Sequence, residues 1–199
     1  CRNLFDAPLR IHFGDAQECK QSVSGSGFYF ATGRVLTNAH VVAGVQDLRV
    51  RLVGVDSSLS GQVIYFDPEK DVAVIATDDP GTRTALFAKR TGDAGENAAV
   101  AGFPGGGDLS ITPARISSIL GARGENIYGG SGVEREVYSF RSKVMPGNSG
   151  GPLVNSNGRV LGLVFGSNTD SDVGYALINT ELQDAIGFAS VWTPRNGAV

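Results

Sequence analysis

Apolar residues in this chain come in short runs broken by turns, and the 3.6-residue period of a helix is rare. Gly27-Phe28-Tyr29-Phe30-Ala31 and Arg34-Val35-Leu36-Thr37 flank Thr32-Gly33 and predict a hairpin. Asp47 to Val53 alternates as a strand, and Gly61 to Phe66 predicts another. The turn Asp67-Pro68-Glu69-Lys70 then delivers Asp71 to the head of the buried strand Val72-Ala73-Val74-Ile75. A second series starts at Ala98 to Phe103. It continues through Ser110 to Leu120 (one strand or a pair), Val137 to Phe140, Leu153-Val154, the wholly apolar Val160 to Phe165, and Val173 to Leu177. Helical signals are few: one turn over Ala39 to Ala43 ending at Gly44, a stretch near Asp15 to Gln21, and Glu181 to Ile186, capped by Asn179 or Thr180 and stopped at Gly187. Ala122 to Glu136, with four glycines and mixed charge, predicts a mobile hairpin tip.

The pattern predicts an all-β protein, with residues 1–22 as an arm, about 23–90 as one barrel and about 91–190 as a second. Residues 80–91 link the two, and the tail to Val199 is either poorly ordered or docked. A length of 199 residues suits one compact unit or two packed halves. Glycine, at 28 residues, is about twice as frequent as the usual ~7% and fits many tight turns. A net charge of −3 with both signs scattered gives no nucleic-acid groove. No run of 18 apolar residues occurs, so this stretch is expected neither to span a membrane nor to carry a signal peptide. Cys1 and Cys19, if joined, would close a loop worth roughly 3 kcal/mol. Pairing with a cysteine outside this stretch, or two free thiols, are the alternatives.

The chemistry gathers at Pro146-Gly147-Asn148-Ser149-Gly150-Gly151-Pro152. Glycines let the turn present a hydroxyl while the N–H groups of Gly147 and Ser149 point at one spot, the geometry of an oxyanion hole. An ordinary Ser/Gly turn is the plainer reading of that heptad alone. Upstream, however, lie Val35 to Val42 around His40 and Asp71-Val72-Ala73-Val74-Ile75. A serine hydroxyl needs a base, and the base needs a carboxylate to orient it. Of the two histidines, His12 lacks such a frame. Asp67, Asp78 and Asp79 compete with Asp71, but only Asp71 opens an apolar run. Pro104-Gly105-Gly106-Gly107 reads as a turn and not a phosphate cradle, since no Lys-Ser/Thr follows.

Thr37-Asn38-Ala39-His40-Val41-Val42, Asp71-Val72-Ala73-Val74 and Gly147-Asn148-Ser149-Gly150-Gly151-Pro152 resemble the three signatures of trypsin-like serine proteases, most closely their bacterial Deg/HtrA branch. The resemblance runs from about Val23 to Ile186. It implies two six-stranded antiparallel β-barrels of chymotrypsin type, an active-site cleft between them and a short C-terminal helix. It implies a serine endopeptidase with His40, Asp71 and Ser149 as the catalytic set and protein or peptide substrates, with no metal and no cofactor. Lys143 would lie at the base of the primary pocket, Phe165-Gly166-Ser167 would pair with the substrate backbone, and Val173 to Leu177, with Tyr175, would form the far wall. An inward Lys143 would favour an acidic or polar residue before the scissile bond; an outward one leaves an apolar pocket of Val144, Phe165 and Tyr175, the choice favoured because lysine is rarely buried unpaired. The family's loops make residues 122–136 a candidate gate, and redox state is a second means of control.

The resemblance also implies a periplasmic or extracellular domain with a role in stress or acid resistance, expected to be monomeric and attached to a membrane only through a segment outside this stretch. Asn148 departs from the aspartate of digestive enzymes, so activation by a salt bridge to a new N-terminus is not expected. A general base must be neutral, and an ordinary imidazole titrates near 6.5, so activity is expected to fall in acid. Two rivals stand against a protease: an inactive peptide-binding module of the same fold, and an α/β-hydrolase-type esterase, which the order His, Asp, Ser counts against.

Overall fold

The computed structural model describes residues 8–13, 24–79, 83–168 and 171–193. Among the described residues twelve strands form two closed antiparallel barrels. The first runs β1 (Pro8–Phe13), β2 (Ser24–Ala31), β3 (Arg34–Thr37), β4 (Leu48–Leu52), β5 (Ser58–Asp67) and β6 (Val72–Thr77), in the order β1-β2-β3-β6-β5-β4, and closes where Ile11 faces Val50. The second runs β7 (Asn97–Gly102), β8 (Ser110–Glu125), β9 (Ser131–Arg141), β10 (Pro152–Asn155), β11 (Val160–Asn168) and β12 (Val173–Ile178), in the order β10-β11-β12-β9-β8-β7, and closes where Leu153 faces Val100. Helix α1 (Ala39–Val42) follows β3, and α2 (Gln183–Val191) ends the described chain. Among the described residues no helix is long and apolar enough to cross a membrane.

Strand parity explains why several strands are apolar throughout. In β6, Ala73 and Ile75 point into the first barrel, while Val72 and Val74 join a separate cluster between the barrels. Tyr29 and Val35 likewise point inward while Phe28 and Leu36 face that seam. In the second barrel Tyr138, Phe140, Leu161 and Ala176 point inward, and Val137, Val160, Leu163 and Leu177 face the seam. A strand buried on both faces cannot alternate apolar with polar. The inward Tyr29 hydroxyl meets Thr77 Oγ1 at 2.8 Å, and burial pushes its pKa up to about 12. The link is sewn into the same seam: Ala85 N–H donates to the Tyr29 carbonyl (2.7 Å), Ala88 N–H to that of Val160 (2.8 Å).

Two expectations are corrected, and a third, the hairpin over 122–136, stands. Residues 8–13 are a strand of the first barrel, because the β2–β4 gap needs a sixth strand to close. Residues 122–136 form the end of the expected hairpin, paired as an antiparallel ribbon with Gly121 facing Glu136 and Glu125 facing Ser131. The C-terminal helix begins later, after a 3₁₀ turn at Asn179–Leu182, and runs through Gly187 to Val191. Glycine inside a helix costs about 1 kcal/mol, which the burial of Leu182, Ala185 and Ala189 against the seam outweighs. Asn179 caps nothing with its side chain; its amide donates to the Val160 carbonyl (2.9 Å). Cys1, Cys19, the stretch Asp15 to Gln21 and the tail beyond residue 193 lie outside the described residues.

Candidate active site

His40 stands on a one-turn helix whose other three residues, Ala39, Val41 and Val42, are buried in the first barrel. Packing on that side leaves the imidazole as the exposed member, its side chain 37% accessible. Asp71 arrives through the Asp67–Lys70 turn, in which Asp67 Oδ1 accepts the N–H groups of Glu69 and Lys70 (both 2.9 Å). Among the described residues Asp71 is the only non-glycine with a positive φ, +60°. That conformation is uncommon outside glycine, asparagine and aspartate. Three bonds hold it there. Asp71 Oδ2 lies 2.7 Å from His40 Nδ1, Oδ1 accepts the His40 main-chain N–H (2.8 Å), and its own carbonyl accepts Asn38 Nδ2 (2.9 Å). A carboxylate facing Nδ1 selects the tautomer with its proton there, which leaves Nε2 as a free base.

Ser149 comes from the second barrel, yet its main chain lies against the first. Its carbonyl accepts the Ser26 N–H at 2.8 Å, and a Cβ on Gly25 would sit 2.6 Å from a Val41 methyl and 3.3 Å from the Ser149 carbonyl oxygen. The Ser149 loop and the residue that follows His40 therefore flank the same point of β2. Among the described residues the imidazole's one hydrogen bond is to Asp71. No hydrogen bond joins His40 to Ser149; catalytic bonds of this kind often tighten only in a substrate complex.

The loop before Ser149 is a type II turn. Asn148 N–H donates to the Met145 carbonyl (3.0 Å), Pro146 sits at the second position and Gly147 has φ +98° at the third. The Pro146 carbonyl accepts Gly105 N–H (2.7 Å), turning the N–H of the same peptide the other way. Among the described residues the N–H groups of Gly147 and Ser149 have no hydrogen-bond partner, while Gly150 N–H and Gly151 N–H are bound to the carbonyls of Val164 (2.8 Å) and Asn148 (2.9 Å). Gly150, at φ +85°, has no alternative: a Cβ would run into the Ser26 carbonyl and Thr37 Oγ1. Asn148, buried where digestive enzymes have aspartate, leaves its Oδ1 without a partner among the described residues.

Beside Ser149 a cleft of about 440 Å³ is lined by Lys143 to Pro146, Gly166 to Asn168, Ser171 and Asp172. Of the residues expected to meet substrate, Lys143, Val144, Gly166 and Ser167 line this opening. Phe165 and Tyr175 do not line it. They face each other at 6.4 Å between ring centroids and pack on the seam core, where alternation along β11 puts Phe165 on the same face as Leu163 and opposite to Val164. Lys143 is exposed, with Asp172 across the same opening. Nothing within 4 Å would meet a Cβ on Gly166, so the entrance is wide there.

Sequence reasoning passed over Ser26 and Asn38, both fully buried and both bonded to this site. The one available signal was a serine between two glycines in an otherwise apolar strand, Gly25-Ser26-Gly27.

A family profile described as the trypsin-like peptidase domain matches residues 25–163. The chain is 39% identical over 169 residues to serine protease Rv3671c of Mycobacterium tuberculosis, covering 84% of this chain and 42% of that protein. It is 38% identical over 152 residues to a probable periplasmic serine endoprotease, DegP-like, of Ectopseudomonas mendocina, covering 75% of this chain and 30% of that protein. The active-form crystal structure of the Rv3671c protease aligns with a TM-score of 0.90 at 35% identity, over 96% of this chain and 84% of that one. The inactive form gives 0.79 at 35% identity, over 96% and 91%. The chain spans less than half the length of these curated relatives.

Proposed function

This chain belongs to the trypsin-like peptidase family of serine endopeptidases, and from that premise we propose that it cleaves peptide bonds through an acyl-enzyme on Ser149. His40 Nε2 takes the Ser149 hydroxyl proton as the oxygen attacks the carbonyl, then gives it to the departing amine. Water repeats the cycle on the ester. Asp71 keeps the ring in register and stabilises the imidazolium, a base contribution of roughly 10²–10⁴-fold. The N–H groups of Gly147 and Ser149 receive the oxyanion, where one donor is worth about 10²–10³. The observation that carries the reading is the double grip of Asp71 on His40, at ring and main chain, beside a turn whose two N–H groups are unpartnered.

The substrate is a protein or peptide. The pocket's lining supports a preference different from the apolar one drawn from the sequence. Val144 and Met145 supply an apolar patch, Ser167 and Ser171 a polar one, and Lys143 and Asp172 opposite charges at the opening. A small or polar side chain before the scissile bond fits that mixture. DegP-like relatives described as periplasmic support a periplasmic or extracellular setting. Membrane attachment outside this stretch, and a role in stress or acid survival, complete the proposal.

A serine-directed fluorophosphonate tests it. We expect Ser149 to be labelled and peptide hydrolysis to vanish in Ser149→Ala; an unlabelled Ser149 would leave a peptide-binding module instead. Cleavage of a peptide library tests the pocket, and a strong requirement for large apolar residues would refute the mixed lining.

A further inference from the structure

We propose that Ser26 is a positioning residue for the oxyanion hole, an inference that rests on the acyl-enzyme reading of Ser149. The vulnerable element is the Pro146–Gly147 peptide, the central peptide of the type II turn. Rotating a turn's central peptide interconverts types II and I and moves little else; type I asks only that φ at the third residue swing to about −90°. Glycine accepts both values. The residue that allows the hole therefore also allows its loss, because rotation carries Gly147 N–H away from it.

Rotation is opposed by Gly105 N–H, which holds the Pro146 carbonyl at 2.7 Å. That lock works only if the 103–105 segment and the 145–148 turn keep their spacing. One hydroxyl spans both. Ser26 Oγ accepts Phe103 N–H (3.0 Å), two residues before the lock, and donates to the Gly147 carbonyl (2.6 Å) on the turn itself. Ser26 N–H holds the Ser149 carbonyl (2.8 Å), and the Ser26 carbonyl accepts Thr37 Oγ1 (2.8 Å), three residues before His40. Ser26 has no exposed surface. Its surroundings are tight: a Cβ on Gly102 would lie 2.9 Å from Ser26 Oγ and 2.8 Å from Asn148 Oδ1. A single side chain of the first barrel thus sets the second barrel's oxyanion turn relative to the strand that leads to His40.

Ser26→Ala and Ser26→Gly test this, each compared with the unaltered chain for thermal unfolding, for kcat and KM on a peptide substrate, and for two inhibitors of one sequence. A peptidyl aldehyde forms a hemiacetal: a bond forms between Ser149 Oγ and the aldehyde carbon, the carbonyl π bond opens, and the hydroxyl proton passes to His40. Its oxygen then occupies the hole. The matching peptidyl alcohol binds without that bond. A folded variant is expected to lose about 10–100-fold in kcat, less than outright loss of a donor, with KM within about threefold. Aldehyde affinity should fall by the same factor while alcohol affinity stays constant. Unchanged kcat, or an equal fall for both inhibitors, would overturn the proposal. So would failure of both variants to fold, which would assign Ser26 to barrel assembly. Failure of the underlying reading shows separately, as an unaltered chain that forms no Ser149 adduct.

Discussion

The two halves of the site are held by different means. On the first barrel, side chains do the holding: Asp71 binds His40 twice, and Asn38 binds Asp71. On the second barrel the backbone does it, with Gly147 and Gly150 at positive φ and peptide groups bonded to Gly105, Val164 and Ser26. A side-chain site fails when its chemistry changes; a backbone site fails when an atom is added.

The sharpest way to break the first half is Asp71→Asn. The amide would offer a donor to Nδ1 and force the proton onto Nε2, so kcat should fall about 10⁴-fold while binding of a non-covalent peptide inhibitor persists. Retained kcat would show that another carboxylate orients His40. The second half should break by gain of one carbon. Gly150→Ala drives a methyl into the Ser26 carbonyl at a strained φ, with an expected cost of about 3 kcal/mol or more in denaturant unfolding, and activity lost with it.

A smaller effect sharpens the comparison by crossing it. The β8–β9 ribbon of the second barrel reaches the turn that delivers Asp71: Ile127 N–H donates to the Pro68 carbonyl (3.2 Å) and Arg135 Nε to that of Glu69 (2.7 Å). Arg135→Ala should cost about 1 kcal/mol and lower kcat/KM severalfold, checked by unfolding and steady-state kinetics. The least effect is expected at Lys70, bonded to Asp184 (3.0 Å) and near Glu181 (3.6 Å). The bond to Asp184 raises the Lys70 pKa above its ordinary value. A raised pKa on a cation stabilises the fold at neutral pH, and the gain is lost as pH climbs through the raised value. Lys70→Met should therefore cost at most about 0.5 kcal/mol at pH 7, and the difference should close in strong alkali.

Much of this was legible along the chain. Thr32-Gly33 marked its hairpin because only a tight turn joins two apolar runs so closely, and Asp71 marked itself by opening a run that could not be a surface loop. Gly187 misled because a local helix breaker says nothing of the seam that Ala185 and Ala189 fill on either side of it. Phe165 misled because which face of β11 meets the other barrel is not written in the strand itself: alternation puts Phe165 with Leu163 on the seam. Ser26 was silent because its hydroxyl's partners lie 77 and 121 residues away.

The order His40, Asp71, Ser149, the glycines around Ser149 and the division into two strand series were determined by the amino-acid sequence itself, since each depends on residue type and near neighbours. Closure of the first barrel by residues 8–13, the ribbon lying on the Asp71 turn, and the hydroxyl joining one barrel to the Pro146–Gly147 turn of the other were decided only in three dimensions. Local periodicity records which face of a strand is apolar. Which distant face meets it is settled by packing, where burial and hydrogen-bond satisfaction are shared among segments that are not neighbours in the chain.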